Sequence, residues 1–570
     1  MTASDSSPRV PAWGRWTIFP GIALALVGPL CFLPIADTDA GWHLALGRLI
    51  RASGLPHTNA LTWTARDTPW YDTSWLWDQA TAALTGRFGL IGLQLVTLAT
   101  VAVALWAIGW ACAQRDPVRG PWLVPAIALL LVPRLVVRPH VAAWAALAVV
   151  LALCIAGERR GSGWRAACLP VIAFAGNLHS GAIFAAGVLC LFCLEEAILR
   201  RRAVELAIAA GAIAALCANP GGLFDLRSMF YHLLHVQAVV VIGEYLPPTL
   251  RQEPVFYALV PISLALAWRR RRESFAELAV VFVFAALALR AWRMVYEFQI
   301  VAAPVLAEGL ARLRARFGVR AQAVATAAAL VVCGASHRWD QRLVGHRLSP
   351  AWDAAALPVR AAAFAAASGL SGPGFHSYDD GGYLEWALPG VPAFVDGRVQ
   401  AFPPGFFRRF YAAGHGSREF QVFLRELGVE WAMPLRNSPW LSGRGLLDGS
   451  PEWALVYWDD RNEVFVRRDV PRFAPLIEVL EYRRFRPWGA IVGAVAATPR
   501  AELARTLAEV ERFETTTPGD PFAAIVRCAA STRMESPQAR PDCARAETLA
   551  RDPRLRSLAE AAQRVQVARE

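Results

Sequence analysis

The chain has 570 residues, 55% of them hydrophobic and 18% charged, with a mean hydropathy of +0.34. A soluble protein carries about 25% charged residues, so an ordinary water-soluble enzyme is excluded. The formal net charge of +12 would suit nucleic acid, but the basic residues are all arginine and cluster between apolar runs, where positive-inside topology puts them; no nucleic-acid partner is expected.

Residues 1–17 read as a polar cytoplasmic tail. The run 18–36 is long enough to span a bilayer, which takes roughly 17–25 residues. It ends without an A-x-A cleavage site and so reads as a retained helix, not a removed signal peptide. Further runs fall near 90–113, 121–137, 140–157, 164–180, 181–198, 203–219, 254–269, 275–291, 295–311 and 320–336, giving about eleven spans within a domain covering 18–336. With the N-terminus inside, the connections holding Arg115/Arg119, Arg159/Arg160/Arg165, Arg200 to Arg202, Arg269 to Arg272 and Arg312/Arg314/Arg316/Arg320 all fall on the cytoplasmic side. Five clusters agreeing on one orientation carry the topology. Everything beyond about residue 337 is then extracytoplasmic.

The first outer connection, residues 37–89, opens with Asp37-Thr38-Asp39-Ala40-Gly41-Trp42-His43. An amphipathic helix with Trp42, Leu46, Leu49 and Ile50 on one face follows. After a turn at Gly54-Leu55-Pro56 comes an aromatic stretch through Trp63, Trp70, Tyr71, Trp75 and Trp77, suited to the headgroup region. The same sidedness places Arg134, Arg138, His140, Asn177, His179, Asn219, Glu244, Arg290 and Arg293 with Asp37, Asp39 and His43 on the outer face. Ionisable groups at helix ends are costly unless paired and often mark function. Carboxylates and cations at one face point to an anionic ligand held beside an acid or base. Each residue also has a plainer use. Asp37 and Asp39 could cap the helix after them, Arg138 could snorkel at a helix end, and Asn177 and His179 could bond between helices.

Asp37-Thr38-Asp39 after the first span resembles the acidic motif of GT-C glycosyltransferases, polytopic enzymes that use polyprenyl-phosphate sugars. The resemblance extends over most of residues 20–470, to a bacterial subgroup of that class. It is carried by DTDAGWHLALG from Asp37 to Gly47, Gly54 to Trp75, Arg138-Pro139-His140, Asn177 to Gly181, Asn219 to Leu223, Gly243 to Pro248, Arg290 to Arg293, Asp380 to Tyr383 and Val395-Asp396-Gly397-Arg398. It implies an inverting transferase of the bacterial inner membrane that moves a sugar from a polyprenyl-phosphate donor to an extracytoplasmic acceptor in the cell envelope. Asp37 or Asp39 would be the catalytic base and the other would position the acceptor. His43, Arg134, Arg138, His140, Asn177, His179, Glu244, Arg290 and Arg293 would bind substrate. Arginine suits phosphate because its fork of donors binds bidentately. Asp37 and Asp39 could also share a divalent cation through oxygen ligands; the class contains metal-requiring and metal-independent members, so the metal stays open.

From residue 355 the pattern changes to a small α/β domain ending near 470. Strands are expected at Phe375 to Tyr378, Ala393 to Asp396 and Val429 to Met433, with a closing hairpin of Leu455 to Trp458 and Glu463 to Val466. Asp379-Asp380-Gly381-Gly382 reads as a turn with a helix cap. Residues 471–570 read as a helical region, with helices at Ala501 to Phe513, Pro521 to Ser531 and Asp542 to Ala550. Eight cysteines lie in or beside apolar runs, where thiols are structural. Cys528 and Cys543 lie in the tail and could pair in an oxidising compartment. The fold class is therefore mostly α: a transmembrane bundle, an extracytoplasmic α/β domain and a C-terminal helical segment. Two other functions fit that architecture. One is a non-catalytic scaffold in envelope assembly. The other is a transporter, against which stand the polar residues gathered at one face and the absence of an inverted repeat.

Overall fold

The computed structural model describes residues 16–227, 230, 243–336, 347–414, 416–436, 447–486 and 495–565; most of the 1–17 tail lies outside them. The chain forms two compact units, one of residues 1–59, 67–353 and 398–403, the other of residues 60–66, 354–397 and 404–570.

The first unit is helical. Its helices are α1 (Ile18–Val27), α2 (Asp39–Ser53), α3 (Trp75–Phe88), α4 (Leu90–Arg115), α5 (Val124–Leu131), α6 (His140–Arg160), α7 (Ser162–Ala166), α8 (Cys168–Gly176), α9 (Ala182–Leu199), α10 (Ala203–Leu216), α11 (Pro254–Arg270), α12 (Phe275–Arg290) and α13 (Val295–Ser336). Among the described residues three helices, α4, α6 and α9, are long and apolar enough to cross a bilayer by themselves. Shorter apolar helical stretches lie at Ile18–Phe32, Gly120–Arg134, Ala203–Leu216 and Thr326–Ala335. The runs expected at 295–311 and 320–336 are one helix of 42 residues. The run at 121–137 is broken into 3-10, α and 3-10 turns, because Pro121, Pro125 and Pro133 each lack the N–H that a continuous helix uses.

The amphipathic segment after Asp37 is α2, and it buries Trp42, Leu46 and Ile50 as its periodicity predicts, while Leu49, expected on the same face, is only half-buried. It stops where Gly54 takes a left-handed φ of +86°, which glycine adopts without steric cost. Buried ion pairs join helix ends. Arg115, at the end of α4, reaches Glu158 of α6 at 2.7 Å and Glu277 of α12 at 3.2 Å; Arg270 of α11 reaches Glu277 at 3.0 Å and also pairs with Glu308 of α13.

The second unit contains α14 (Val359–Ala367), β1 (Gly374–His376), α15 (Gly381–Ala387), α16 (Phe406–Ala413), α17 (Ser417–Glu426), β2 (Trp431–Met433), β3 (Trp453–Trp458) and β4 (Glu463–Arg467). Helices α18 (Ala474–Leu480), α19 (Arg500–Thr516), α20 (Pro521–Arg533), α21 (Ala539–Leu549) and α22 (Pro553–Gln563) follow. The sheet order is β1-β2-β4-β3, with β1 parallel to β2 in the register Gly374 to Trp431, and β4 antiparallel to both neighbours. Phe375, Phe394, Phe410 and Phe420 are all buried and form its aromatic core. The strand expected at Ala393 to Asp396 does not form. Ala393 makes a lone parallel bridge to Thr62, and Gly397 follows at once. Asp380 receives Arg461 at 2.5 Å and Asn462 at 2.8 Å, both in the β3–β4 turn, and its side chain makes no helix-capping bond. Cys528 of α20 and Cys543 of α21 form a disulfide.

Candidate active site

Arg138 sits immediately before Pro139, which opens α6. A residue before proline is pushed out of the helical region, so the side chain is presented at the helix mouth. Its Nε donates to Asp37 at 2.6 Å and its Nη2 lies 3.1 Å from Asp39. Asp37 Oδ1 also accepts the backbone N–H of Asp39 at 2.9 Å, so the capping role expected for Asp37 coexists with an ion pair. Burial pushes the Asp39 carboxyl up to about 6, against the pull of Arg138.

Glu244 joins this group through two further arginines. Arg134 donates to it, and Arg293 lies 3.4 Å away while also donating to the Tyr245 hydroxyl. Burial pushes Glu244 up, but Arg134 and Arg293 outweigh it and hold the carboxyl well below the usual range. His140 supports Arg134 from behind, its Nε2 lying 2.8 Å from the Arg134 carbonyl. Beside these groups opens a small cleft of about 80 Å³. His179, Ser180, Tyr245, Arg290, Arg293 and Glu297 supply its polar lining, and Ile183, Phe184 and Leu287 are among its apolar lining.

Two expected site residues, Asn177 and His43, turn elsewhere, as does Asn219 of the outer face. Asn177 donates to the carbonyls of Ala173 and Ala218 and accepts from the Trp75 indole at 2.6 Å, so its amide joins three segments and is not turned to the cleft. Asn219 closes its own turn onto Leu216 and Gly222. His43 faces inward from α2, its Nδ1 2.6 Å from Asp78 Oδ1, with both residues buried.

Asp78 belongs to a group the sequence did not single out. Asp72 lies close enough to Asp78 for its carboxyl to disfavour ionisation of the other. Burial pushes both carboxyls up, Asp72 to about 6. Burial, with Arg138, His179 and Arg398, holds His43 well below its ordinary value and therefore neutral. Arg398, 1% exposed, packs its guanidinium between Trp42 at 5.5 Å and Trp70 at 4.9 Å. Its charge steadies the acid pair. The one signal of this group in the sequence is acid residues inside a tryptophan-rich loop.

A hard divalent cation is held by at least one or two free carboxylates, with waters or substrate oxygens filling the rest of its shell. Among the described residues no three His, Cys, Asp or Glu side chains are placed to hold a metal. Asp37 and Asp39 face a guanidinium, and Glu244 faces two others. As arranged, the set does not fit a metal, and no step below is routed through one.

No family model matches the sequence, and no curated protein does. Solved structures do match. The archaeal oligosaccharyltransferase AglB from Archaeoglobus fulgidus, in complex with an inhibitory peptide and a dolichol-phosphate, aligns with 74% of this chain and 69% of its own at a TM-score of 0.55 and 12% identity. An oligosaccharyltransferase of the same organism, in complex with Zn and sulfate, aligns with 79% and 73% at 0.53 and 12%. The arabinofuranosyltransferase AftD from Mycobacteria aligns with 79% of this chain but only 40% of its own length, at 0.50 and 17%. At such identities the likeness is one of fold: this chain has the fold of the GT-C glycosyltransferases.

Proposed function

We propose that the chain is a membrane glycosyltransferase that moves a sugar from a polyprenyl-phosphate donor to a hydroxyl-bearing extracytoplasmic acceptor of the cell envelope. The observation that carries this reading is the cleft whose polar wall holds Arg290 and Arg293 beside apolar walls, next to the Asp37–Arg138–Asp39 group. Phosphate suits the arginines and a polyprenyl tail suits the apolar wall. The dolichol-phosphate bound by the archaeal neighbour is a ligand of that chemistry.

In this scheme Asp39 takes the proton of the acceptor hydroxyl. The acceptor oxygen bonds to the anomeric carbon from the face opposite the phosphate, and the bond from that carbon to the phosphate oxygen breaks. Its electron pair stays on the phosphate, whose added charge Arg290 and Arg293 meet. A base with a pKa near the working pH suits such a step, and burial places Asp39 there. Asp37 fixes Arg138 and the start of α2. The reading also takes the site and the second unit to face away from the cytosol in the inner membrane.

The test is the double substitution Asp37→Asn with Asp39→Asn. It should remove a cell-surface glycan or glycolipid while the protein still reaches the membrane at wild-type level. An unchanged glycan profile in that strain and in a deletion strain would reject catalysis in favour of a scaffold.

A further inference from the structure

The three carboxylates of the site are matched by three guanidiniums: Asp37 and Asp39 with Arg138, Glu244 with Arg134 and Arg293. Among the six paired groups of this cluster the charges balance. A divalent cation entering between Asp37 and Asp39 would add two positive charges to it and would have to displace Arg138 from both carboxylates.

Arg138 is not loosely placed. Two different nitrogens of one planar fork hold two carboxylates, and this spaces Asp37 and Asp39 around a guanidinium. A Lys ammonium, a single point charge, would not reproduce that hold. The side chains of Asp37, Asp39 and Arg138 are 9%, 20% and 25% exposed, so the group is shielded yet open to a reactant. The backbone N–H of Asp39 also donates to Asp37, which fixes that carboxylate facing the guanidinium. Glu244, the nearest further acid, is engaged by Arg134 and Arg293.

We propose that the Arg138 guanidinium occupies, in this chain, the place between Asp37 and Asp39 that a divalent cation would fill, and that sugar transfer proceeds without a divalent metal. This rests on the glycosyltransferase reading for its activity arm and on the ion-pair geometry alone for its binding arm. Arg138 holds the two carboxylates at a fixed spacing, leaving Asp39 to take the acceptor proton. Its own proton count does not change, because a guanidinium stays protonated throughout the working pH range.

Two measurements on the full-length protein in detergent decide it. In the first, Mn²⁺ is titrated in and free Mn²⁺ is followed by its EPR signal. The wild-type protein should leave the signal undiminished, whereas Arg138→Gln, which uncovers both carboxylates, should reduce it. In the second, a panel of synthetic undecaprenyl-phosphate monosaccharides is incubated with native membrane acceptors, with and without EDTA. The wild-type rate should change by less than about twofold, too little to be a lost transition-state interaction. Stoichiometric Mn²⁺ binding by the wild type, or a rate abolished by EDTA and restored by Mg²⁺ or Mn²⁺, overturns the proposal and leaves the glycosyltransferase reading intact. If the wild type transfers no sugar from any donor and a deletion strain keeps its glycans, the glycosyltransferase reading falls instead, and the Mn²⁺ titration still decides how the carboxylates are occupied. If Arg138→Gln does not fold, the wild-type arms decide alone.

Discussion

Asp39 shows how the same burial can serve chemistry and burden the fold. Burial raises its carboxyl to about 6, above the ordinary value of about 3.9, so the native state favours the neutral acid. The stabilisation from that group is complete below the unfolded pKa and is lost as pH rises through about 6. Activity runs the other way, because a base must be deprotonated. Transfer should therefore climb as pH rises through about 6. Asp39→Asn, which mimics the neutral acid, should lower turnover by roughly 10²–10⁴ and remove that limb while raising the melting temperature at pH 7.5. A pH–rate profile paired with thermal melts checks both signs. A variant that loses activity and also melts lower would assign Asp39 to the fold and not to proton transfer. Asp37, Asp39, Arg138 and Glu244 were legible because each lies at the edge of an apolar run, where an ionisable side chain is conspicuous. Asp72 and Asp78 were not. They are single acids in a loop, and only the loop's closure onto His43 and Arg398 makes them a pair.

At the scale of elements, the site depends on how closely α2 approaches α3. A Cβ placed on Gly47 would lie 2.0 Å from the Asp78 carbonyl oxygen and 2.7 Å from the Ala82 side chain. Backbone cannot yield as a flexible side chain does, so Gly47→Ala must push the helices apart. The expected cost is about 1–3 kcal/mol, as for other overpacked contacts, and the His43–Asp78 hydrogen bond at 2.6 Å should break with it. A thermal melt of the detergent-solubilised variant, set beside Gly86→Ala of α3 as a control whose added Cβ meets nothing within 4 Å, measures this. Equal melting of Gly47→Ala and wild type would show that the crossing has slack. The helix itself could be read from its apolar period, but the crossing could not, since Gly47 carries no hydrophobic signal. The same gap explains two other misreadings. The runs at 295–311 and 320–336 merge because the charges between them do not break a helix; the Arg, Leu and Ala there are good helix formers and outweigh the single Gly318. Ala393 to Asp396 has strand composition, yet a strand needs a paired neighbour, and among the described residues only Thr62 bridges Ala393.

At the scale of the whole chain, charge is segregated along the helices of the first unit. The group around Arg138, Glu244 and Arg293 stands at the start of α6, before α11 and at the start of α13. The Arg115–Glu158–Glu277 and Arg270–Glu277–Glu308 pairs join the end of α4, the end of α6, the end of α11 and the start of α12. Antiparallel helices with acids and bases paired at both ends suit a bundle whose middles meet lipid, because unpaired charge there is costly. Arginine clustering made this sidedness visible in the sequence, since it depends on composition and not on packing. The C-terminal helices offer an independent check. The Cys528–Cys543 bond spans a separation of 15 residues, and such a loop stabilises by roughly 3 kcal/mol in the chain-entropy account, but only where the compartment allows oxidation. If that region faces the periplasm, intact cells treated with a thiol reagent unable to cross the inner membrane should show labelling at Cys528 and Cys543 only after reduction. Reporter fusions near residues 60 and 400 should be active outside the cytosol. Labelling that requires lysis of the inner membrane, or a reporter active only in the cytosol, would reverse the orientation. It would place the carboxylates and arginines on the cytosolic leaflet and so exclude an extracytoplasmic acceptor, whatever the geometry of the site.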